Sequence, residues 1–202
     1  MDDLFCREFG GIFRLRVPFE NLYTSVFLIE TKKTLVLVDT GTRKEDVDCH
    51  ILPALRASGY ALSDVRQLVL THHHTDHAGG VGRMVELFPQ LELVSDVRPL
   101  ADGLSTYALA GHTADCIGVF DAHTHTLITG DGLQGAGIGR YRCSLEHPDA
   151  YLKTLETIRN DRRIENLLFS HAYEPWCVDR MVGFSEVRDC LNQCTKYVRR
   201  EP

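Results

Sequence analysis

Alternating apolar and polar positions predict strands at the start of the chain. Residues 11–17 (GIFRLRV) alternate apolar and basic side chains, and residues 23–30 (YTSVFLIE) are rich in β-branched and aromatic types, so both stretches are predicted strands. The short apolar run at 34–39 (TLVLVD) ends in Asp39 and is followed by a Thr-Gly pair. This run predicts a strand that delivers a carboxylate into a turn.

The apolar spacing changes to a helical period after this turn. Val47, Ile51 and Leu55 recur at four-residue intervals and Gly59 follows, so residues 44–58 are a predicted helix. Further strands are predicted at 65–71, 91–95, 107–110, 116–120, 127–129 and 166–170, and further helices at 81–88, 149–159 and 179–200.

This mixed order of strands and helices predicts a layered α/β protein with sheets inside and helices outside. The 202 residues, 44% of them apolar, suit a single domain that spans residues 1–202. The formal charge of −6 argues against a nucleic-acid partner. The acidic start lacks the apolar segment of a signal peptide, and no run approaches the roughly 20 apolar residues of a membrane-spanning helix. We therefore expect a cytoplasmic protein without a membrane partner, and the sequence does not indicate its oligomeric state.

A dense histidine cluster, residues 71–77 (THHHTDH), follows one of the predicted strands. At the end of a strand, side chains two positions apart point the same way. His72 and His74 are therefore predicted to converge on one metal ion. Asp76 and His77, which lie past the turn, are predicted to bind a second.

Three further candidate ligands stand just after predicted strands: His112, Asp131 and His171. Each lies beside small residues, in the stretches AGHT, TGDG and FSHA, which leave space for a site. Enzymes commonly carry functional side chains on loops of a rigid scaffold. The combined set of five histidines and two aspartates suits two borderline-soft divalent ions. We expect zinc, with manganese or iron as alternatives.

The order of these residues, from 36–41 (VLVDTG) to His171, resembles the metallo-β-lactamase superfamily. The family pattern is a strand-end Asp, a His-x-His-x-Asp-His run, a lone His, a lone Asp and a last His, and all five parts occur here in order. The resemblance implies a four-layer αββα sandwich. It also implies one metal on His72, His74 and His112, the other on Asp76, His77 and His171, with Asp131 bridging them and Asp39 behind the ligands, ordering their loop.

A two-metal centre of this kind implies hydrolysis. Two divalent ions roughly 3.5–4 Å apart share a water whose pKa falls toward about 7, which supplies a metal-bridging hydroxide. One ion polarises the scissile carbonyl or phosphoryl oxygen, and Asp76 is the expected catalytic residue that orients the nucleophile and accepts its proton. The expected substrate is a small thioester, ester or lactone.

Two residues are expected to contact this substrate. The stretch 132–141 (GLQGAGIGRY) is similar to the Gly-x-Gly-basic-aromatic loop of hydroxyacylglutathione hydrolases (glyoxalase II), and Tyr173 falls where that family has a tyrosine. The resemblance implies that Arg140 and Tyr173 contact the substrate, with Arg140 as a cation for a carboxylate. Arg142 stands where those enzymes have a second tyrosine, and nothing after about residue 180 resembles their helical domain, so a glutathione substrate is left open.

Three other functions fit the same set of candidate ligands. The alternatives are a phosphoester hydrolase on the same ions, a metal-binding protein without hydrolase activity, and iron-dependent sulfur oxidation with one iron.

His73 points away from its neighbours in the cluster and is predicted not to bind metal. His123 and His125 repeat the His-x-His spacing but lie in a predicted polar hairpin turn, so we expect them to be exposed and without metal.

Overall fold

The computed structural model describes residues 4–135, 144–173 and 177–199. The chain forms two compact units, Met1–Ser95 and Asp96–Pro202, and each contains one β-sheet. Within the described ranges, every helix is too short or too polar to span a lipid bilayer.

A six-stranded mixed sheet forms the centre of the first unit. Strands β1 to β4 are antiparallel neighbours, and β4, β5 and β6 are parallel neighbours. Parallel neighbours need crossover connections, and helical segments supply them. The strands are β1 (Cys6–Phe9), β2 (Ile12–Phe19), β3 (Leu22–Glu30), β4 (Leu35–Val38), β5 (Val65–Val69) and β6 (Glu92–Val94), and the helices are α1 (Lys44–Asp46), a π-helical turn (Val47–Ile51), α2 (Leu52–Ala57), a 3-10 turn (Leu62–Asp64), α3 (Thr75–Ala78) and α4 (Val81–Leu87).

Leucines from neighbouring strands form the core of this unit with the helical segment. Leu15, Leu28 and Leu37 are almost fully buried and belong to one cluster with Ile51 and Leu55. The helix predicted at 44–58 is therefore confirmed by its apolar positions, although a π-helical turn interrupts its middle.

Two loops leave this sheet at the same edge. β4 and β5 are parallel and Val38 lies opposite Val69, so the segments that follow them start side by side. Asp39 directly follows β4, and its N–H donates to the Val69 carbonyl at 2.9 Å. The strand pairing therefore brings Asp39 next to the histidine cluster that follows β5.

The second unit contains a five-stranded sheet and two long helices. The spatial order of its strands is β11-β10-β9-β8-β7; β9 and β10 are parallel, and the other neighbours are antiparallel. Its buried core includes Leu127, Phe169, Leu155 and Leu191. Its elements are β7 (Leu104–Ala108), β8 (Ile117–Asp121), β9 (Thr126–Ile128), a 3-10 turn (Gly130–Gly132), α5 (Pro148–Asn160), β10 (Asn166–Leu168), β11 (Arg180–Val182) and α6 (Phe184–Arg199).

The largest difference from the sequence prediction lies before α6. The predicted helix 179–200 is wrong at its start, because Arg180–Val182 is strand β11, paired antiparallel with β10. Gly183 follows with φ +86°, a conformation that glycine adopts without strain, and α6 begins one residue later. Neither β1 nor the short helix α3 is predicted from the sequence, whereas the predicted elements other than the last helix are confirmed with shifts of a few residues at their ends.

Candidate metal centre

The histidine cluster of the first unit lies on the loop after β5 and in the first turn of α3. His72 and His77 are buried and His74 is half-buried. The ring centroid of His72 is 4.7 Å from that of His74 and 4.2 Å from that of His77. Ligand atoms of His72 and His74 lie within 4.8 Å of each other, and those of Asp76 and His77 do as well. Four predicted ligands are thus brought together by one short loop.

Local backbone geometry explains this convergence. His74 is the N-cap of α3 and has extended backbone angles (φ −65°, ψ 147°), so the chain changes from extended to helical at this residue. The amide groups of His77 and Ala78 donate to the His74 carbonyl at 3.0 and 2.9 Å. Asp76 and His77 therefore lie in the first turn of α3, directly beyond the two strand-end histidines.

Asp39 lies behind this cluster and binds His77. Its side chain is fully buried, and its Oδ2 atom is 2.7 Å from Nδ1 of His77. The Thr71 amide also donates to Oδ1 of Asp39 at 2.9 Å. Because a carboxylate accepts hydrogen bonds, Nδ1 of His77 carries the proton, and Nε2 carries the lone pair that could bind a metal ion.

Thr40 holds the backbone of His77. The amide and the hydroxyl of Thr40 donate to the His77 carbonyl at 2.8 and 2.9 Å. The Thr40 hydroxyl in turn accepts from the Gly80 amide at 3.1 Å. The loop after β4 therefore fixes both the ring and the main chain of His77.

Gly79 is required by the close approach of this loop to α3. A Cβ atom at Gly79 would lie 1.7 Å from the carbonyl oxygen of Thr42 and 2.6 Å from that of Thr75. Both obstacles are backbone atoms, so a side chain of any size would displace the main chain beside His77.

We expect Gly79→Ala to lower the free energy of unfolding by about 1–3 kcal/mol, the usual range for overpacking. Gly82→Ala is the matched control, because a Cβ at Gly82 in α4 would meet nothing within 4 Å. In a helix this change should raise the free energy of unfolding by up to about 1 kcal/mol. Urea unfolding of the two variants measures the difference, and equal effects would contradict the close approach.

The second unit carries the other three predicted ligands on one edge of its sheet. Leu168 of β10 lies opposite Ile128 of the parallel strand β9, and Asp131 and His171 each follow three residues after these positions. His112 follows β7, which runs in the same direction as β9 because β8 is antiparallel to both. The sheet topology thus directs all three loops to one edge.

Asp131 lies between the two histidines of this unit. Its Oδ1 atom is 3.3 Å from Nε2 of His171, and its Oδ2 atom is 3.7 Å from Nε2 of His112. The His112 ring is held from the other side by the Ser144 carbonyl, 2.8 Å from Nδ1. All three ligand side chains are more than nine-tenths buried. The donor atoms are imidazole nitrogens and carboxylate oxygens, which fit a borderline-soft divalent ion.

A buried thiol, Cys116, follows His112 by four residues and is not among the ligand atoms that converge in the described part of the chain. Burial raises the pKa of Cys116 to about 11, although a hydrogen bond from Thr113 acts in the opposite direction. Its sulfur is 3.2 Å from the Thr113 hydroxyl. Burial therefore favours the protonated thiol of Cys116 over the thiolate.

The remaining predicted positions fall in different environments. His73 is exposed, as expected for a side chain that points away from His72 and His74. His123 and His125 are exposed in the turn between β8 and β9. Tyr173 is half-buried, with its ring centroid 5.4 Å from that of His171. Arg140 lies outside the described residues.

The residues that hold the candidate ligands in place are not predicted from the sequence. Thr40 and Thr71 were not singled out, and neither was Ser144, which acts through its backbone carbonyl. The sequence signal for the two threonines is their position: each is a hydroxyl residue next to a predicted site residue at the end of a strand. A backbone carbonyl such as that of Ser144 leaves no signal in residue type.

Comparisons with known proteins agree with this architecture. Residues 20–99 match the family model of the metallo-β-lactamase superfamily. A metallo-β-lactamase structure from Erythrobacter litoralis, with β-mercaptoethanol in its active site, superposes with a TM-score of 0.71 at 17% identity and covers 99% of this chain and 98% of its own.

Two curated relatives are enzymes by name. The chain is 23% identical over 194 residues to a hydroxyacylglutathione hydrolase of Legionella pneumophila (strain Corby), which covers 83% of this chain and 73% of the relative. It is 36% identical over 69 residues to an atrochrysone carboxyl ACP thioesterase of Passalora fulva, which covers 34% of this chain and 20% of the relative. Another, a lactamase-like protein of an Aspergillus strain, is matched over 44% of its length.

The fold and the two donor groups define an α/β protein with histidine and aspartate ligands at strand ends. Residues 20–99 are similar to the metallo-β-lactamase superfamily, and the chain has the fold of the metallo-β-lactamase structures. The predicted fold class, α/β of the metallo-β-lactamase type, is thereby confirmed.

Proposed function

We propose that the chain is a two-metal hydrolase of a small thioester, ester or lactone. The observation that carries this proposal is the set of seven candidate ligands, four on the loop after β5 and in the first turn of α3 and three on one edge of the second sheet. We assign one ion to His72, His74 and His112 and the other to Asp76, His77 and His171, with Asp131 bridging both. Zinc is the proposed metal, with manganese or iron as alternatives.

The geometry within each unit supports this assignment. Nε2 of His77 is 3.6 Å from Oδ2 of Asp76, and the two oxygens of Asp131 face different histidines. One oxygen of Asp131 thus lies toward a proposed ligand of each ion, which is the arrangement expected of a carboxylate that would bridge two metal ions. Asp39 would keep His77 in the tautomer that binds metal.

The proposed mechanism needs no serine or cysteine nucleophile. When bound, two such ions supply Lewis-acid activation of water and of the substrate carbonyl. Asp76, at the start of α3, would orient the attacking water and take up its proton at a carboxylate oxygen.

The substrate class rests on the relatives. One is named a hydroxyacylglutathione hydrolase and another an ACP thioesterase, and both names describe cleavage at an acylated thiol. Tyr173, beside His171, and Arg140 are the proposed substrate contacts. A cytoplasmic location and a small-molecule substrate, without a nucleic-acid or membrane partner, complete the proposal.

A substrate panel tests this function. The zinc-loaded chain should hydrolyse an acyl thioester, an ester or a lactone faster than a phosphodiester of similar size, and a chelator should remove this activity. The experiment should include an acylglutathione and a thioester without glutathione, because the glutathione part is undecided. Faster turnover of the phosphodiester would overturn the proposed substrate class.

A further inference from the structure

The hydroxyl of Thr71 lies at a junction between Asp39 and two of the histidines. Thr71 follows β5 and is 1% exposed. Its Oγ1 atom is 3.1 and 2.9 Å from the two carboxylate oxygens of Asp39. The same atom is 3.1 Å from Nδ1 of His72 and 3.4 Å from Nδ1 of His77. All these contacts lie within the first unit.

The chemistry of the groups determines which atom donates. A hydroxyl has one proton, and an ionised carboxylate accepts only. The Thr71 proton must point at Asp39, since otherwise two sets of oxygen lone pairs would face each other at 2.9 Å. The contact between Thr71 and His72 is then a hydrogen bond only if Nδ1 of His72 donates to the hydroxyl.

The direction of the hydrogen bond between His72 and Thr71 determines which nitrogen of His72 can bind a metal ion. A neutral imidazole with its proton on Nδ1 has its lone pair on Nε2. His72 is thus prepared to bind a metal through Nε2, as His77 is through its direct bond to Asp39. Since these two histidines are assigned to different ions, one buried carboxylate would orient a ligand of each.

We propose that Thr71 is a positioning residue that relays the Asp39 carboxylate to His72 and so fixes the metal-binding tautomer of that ligand. This inference rests on the proposed two-metal site. The proposed relay depends on the hydroxyl of Thr71 and not on the volume of its side chain. A residue that merely filled this buried position would not supply it.

Three variants separate the hydroxyl from the volume. Thr71→Val keeps the branched shape and removes the hydroxyl, and Thr71→Ser keeps the hydroxyl. Thr24→Val is the matched control, because Thr24 is fully buried in β3 and its hydroxyl has no hydrogen-bond partner among the described residues. Affinity for Zn²⁺ is measured on the full chain by competition with a chromogenic chelator, alongside the free energy of unfolding of the metal-free proteins.

Thr71→Val should weaken binding of one Zn²⁺ about 10- to 100-fold, the range that loss of a partner behind a metal ligand typically produces. Thr71→Ser should retain near wild-type affinity, and Thr24→Val should leave it unchanged. If Thr71→Val does not fold, Thr71→Ala also removes the hydroxyl and must show the same loss of affinity for Zn²⁺.

The outcomes distinguish this inference from the proposed function. A wild-type chain that binds no Zn²⁺ would contradict the metal centre itself. A wild-type chain that binds Zn²⁺, together with unchanged affinity in Thr71→Val or no rescue in Thr71→Ser, would overturn the role of Thr71 alone.

Discussion

His74→Ala is expected to abolish hydrolysis and leave the fold intact. His74 is half-buried at the N-cap of α3, and its ring packs edge-on against His72 at 4.7 Å. Removing it takes away one of the three proposed ligands of the first ion. The rate should therefore fall by more than about 100-fold. A fall of about 100-fold is the largest that loss of a hydrogen-bond partner behind a metal ligand typically causes, and His74 is itself a proposed ligand. Steady-state kinetics on the preferred substrate and far-ultraviolet circular dichroism measure the two effects.

His123→Ala is the control for this experiment. His123 is exposed in the turn between β8 and β9, and its backbone amide, which the substitution retains, donates to Asp121 at 2.9 Å. We expect its activity to remain at the wild-type level. Similar losses in the two variants would contradict the sorting of the histidines into ligands and turn residues.

Asp131→Ala is expected to reduce the bound metal from two ions per chain to about one and to abolish activity. Each Asp131 oxygen faces a different histidine, so the substitution removes a donor from both proposed ion sites. Metal analysis of the purified variant, after dialysis against a weak chelator, measures the loss.

Asp121→Asn provides the matched control in the same unit. Asp121 and Asp131 are each 6% exposed, but the Asp121 carboxylate accepts from the backbone of His123 and the hydroxyl of Thr124 in a turn. We expect Asp121→Asn to change stability without changing metal content. Equal metal loss in both variants would mean that Asp131 acts through the fold and not as a ligand.

The sequence predicted most of this architecture because strand periodicity and motif order carry it. The alternation at 11–17 and the β-branched and aromatic residues at 23–30 identify β2 and β3, which are half or fully buried along most of their length. The ligands follow strands whose parallel pairing places their ends together, as Val38 and Val69 show. Residue order and strand direction are therefore enough to group candidate site residues by edge.

Other features depend on information that one segment does not contain. The sequence at 179–183 continues a plausible helix, yet Met181 pairs with Leu167 in a strand, so a tertiary contact overrides the local preference. The relay through Thr71 and the carbonyl of Ser144 depends on side-chain rotamers and backbone direction. The residue types of one segment do not specify these contacts.

The metal content of the purified wild-type chain tests the central claim most directly. Inductively coupled plasma mass spectrometry after growth with zinc should find close to two ions per chain. A reproducible value near one would contradict the bridging role of Asp131, and a chain that binds no divalent metal would contradict the metal centre as a whole.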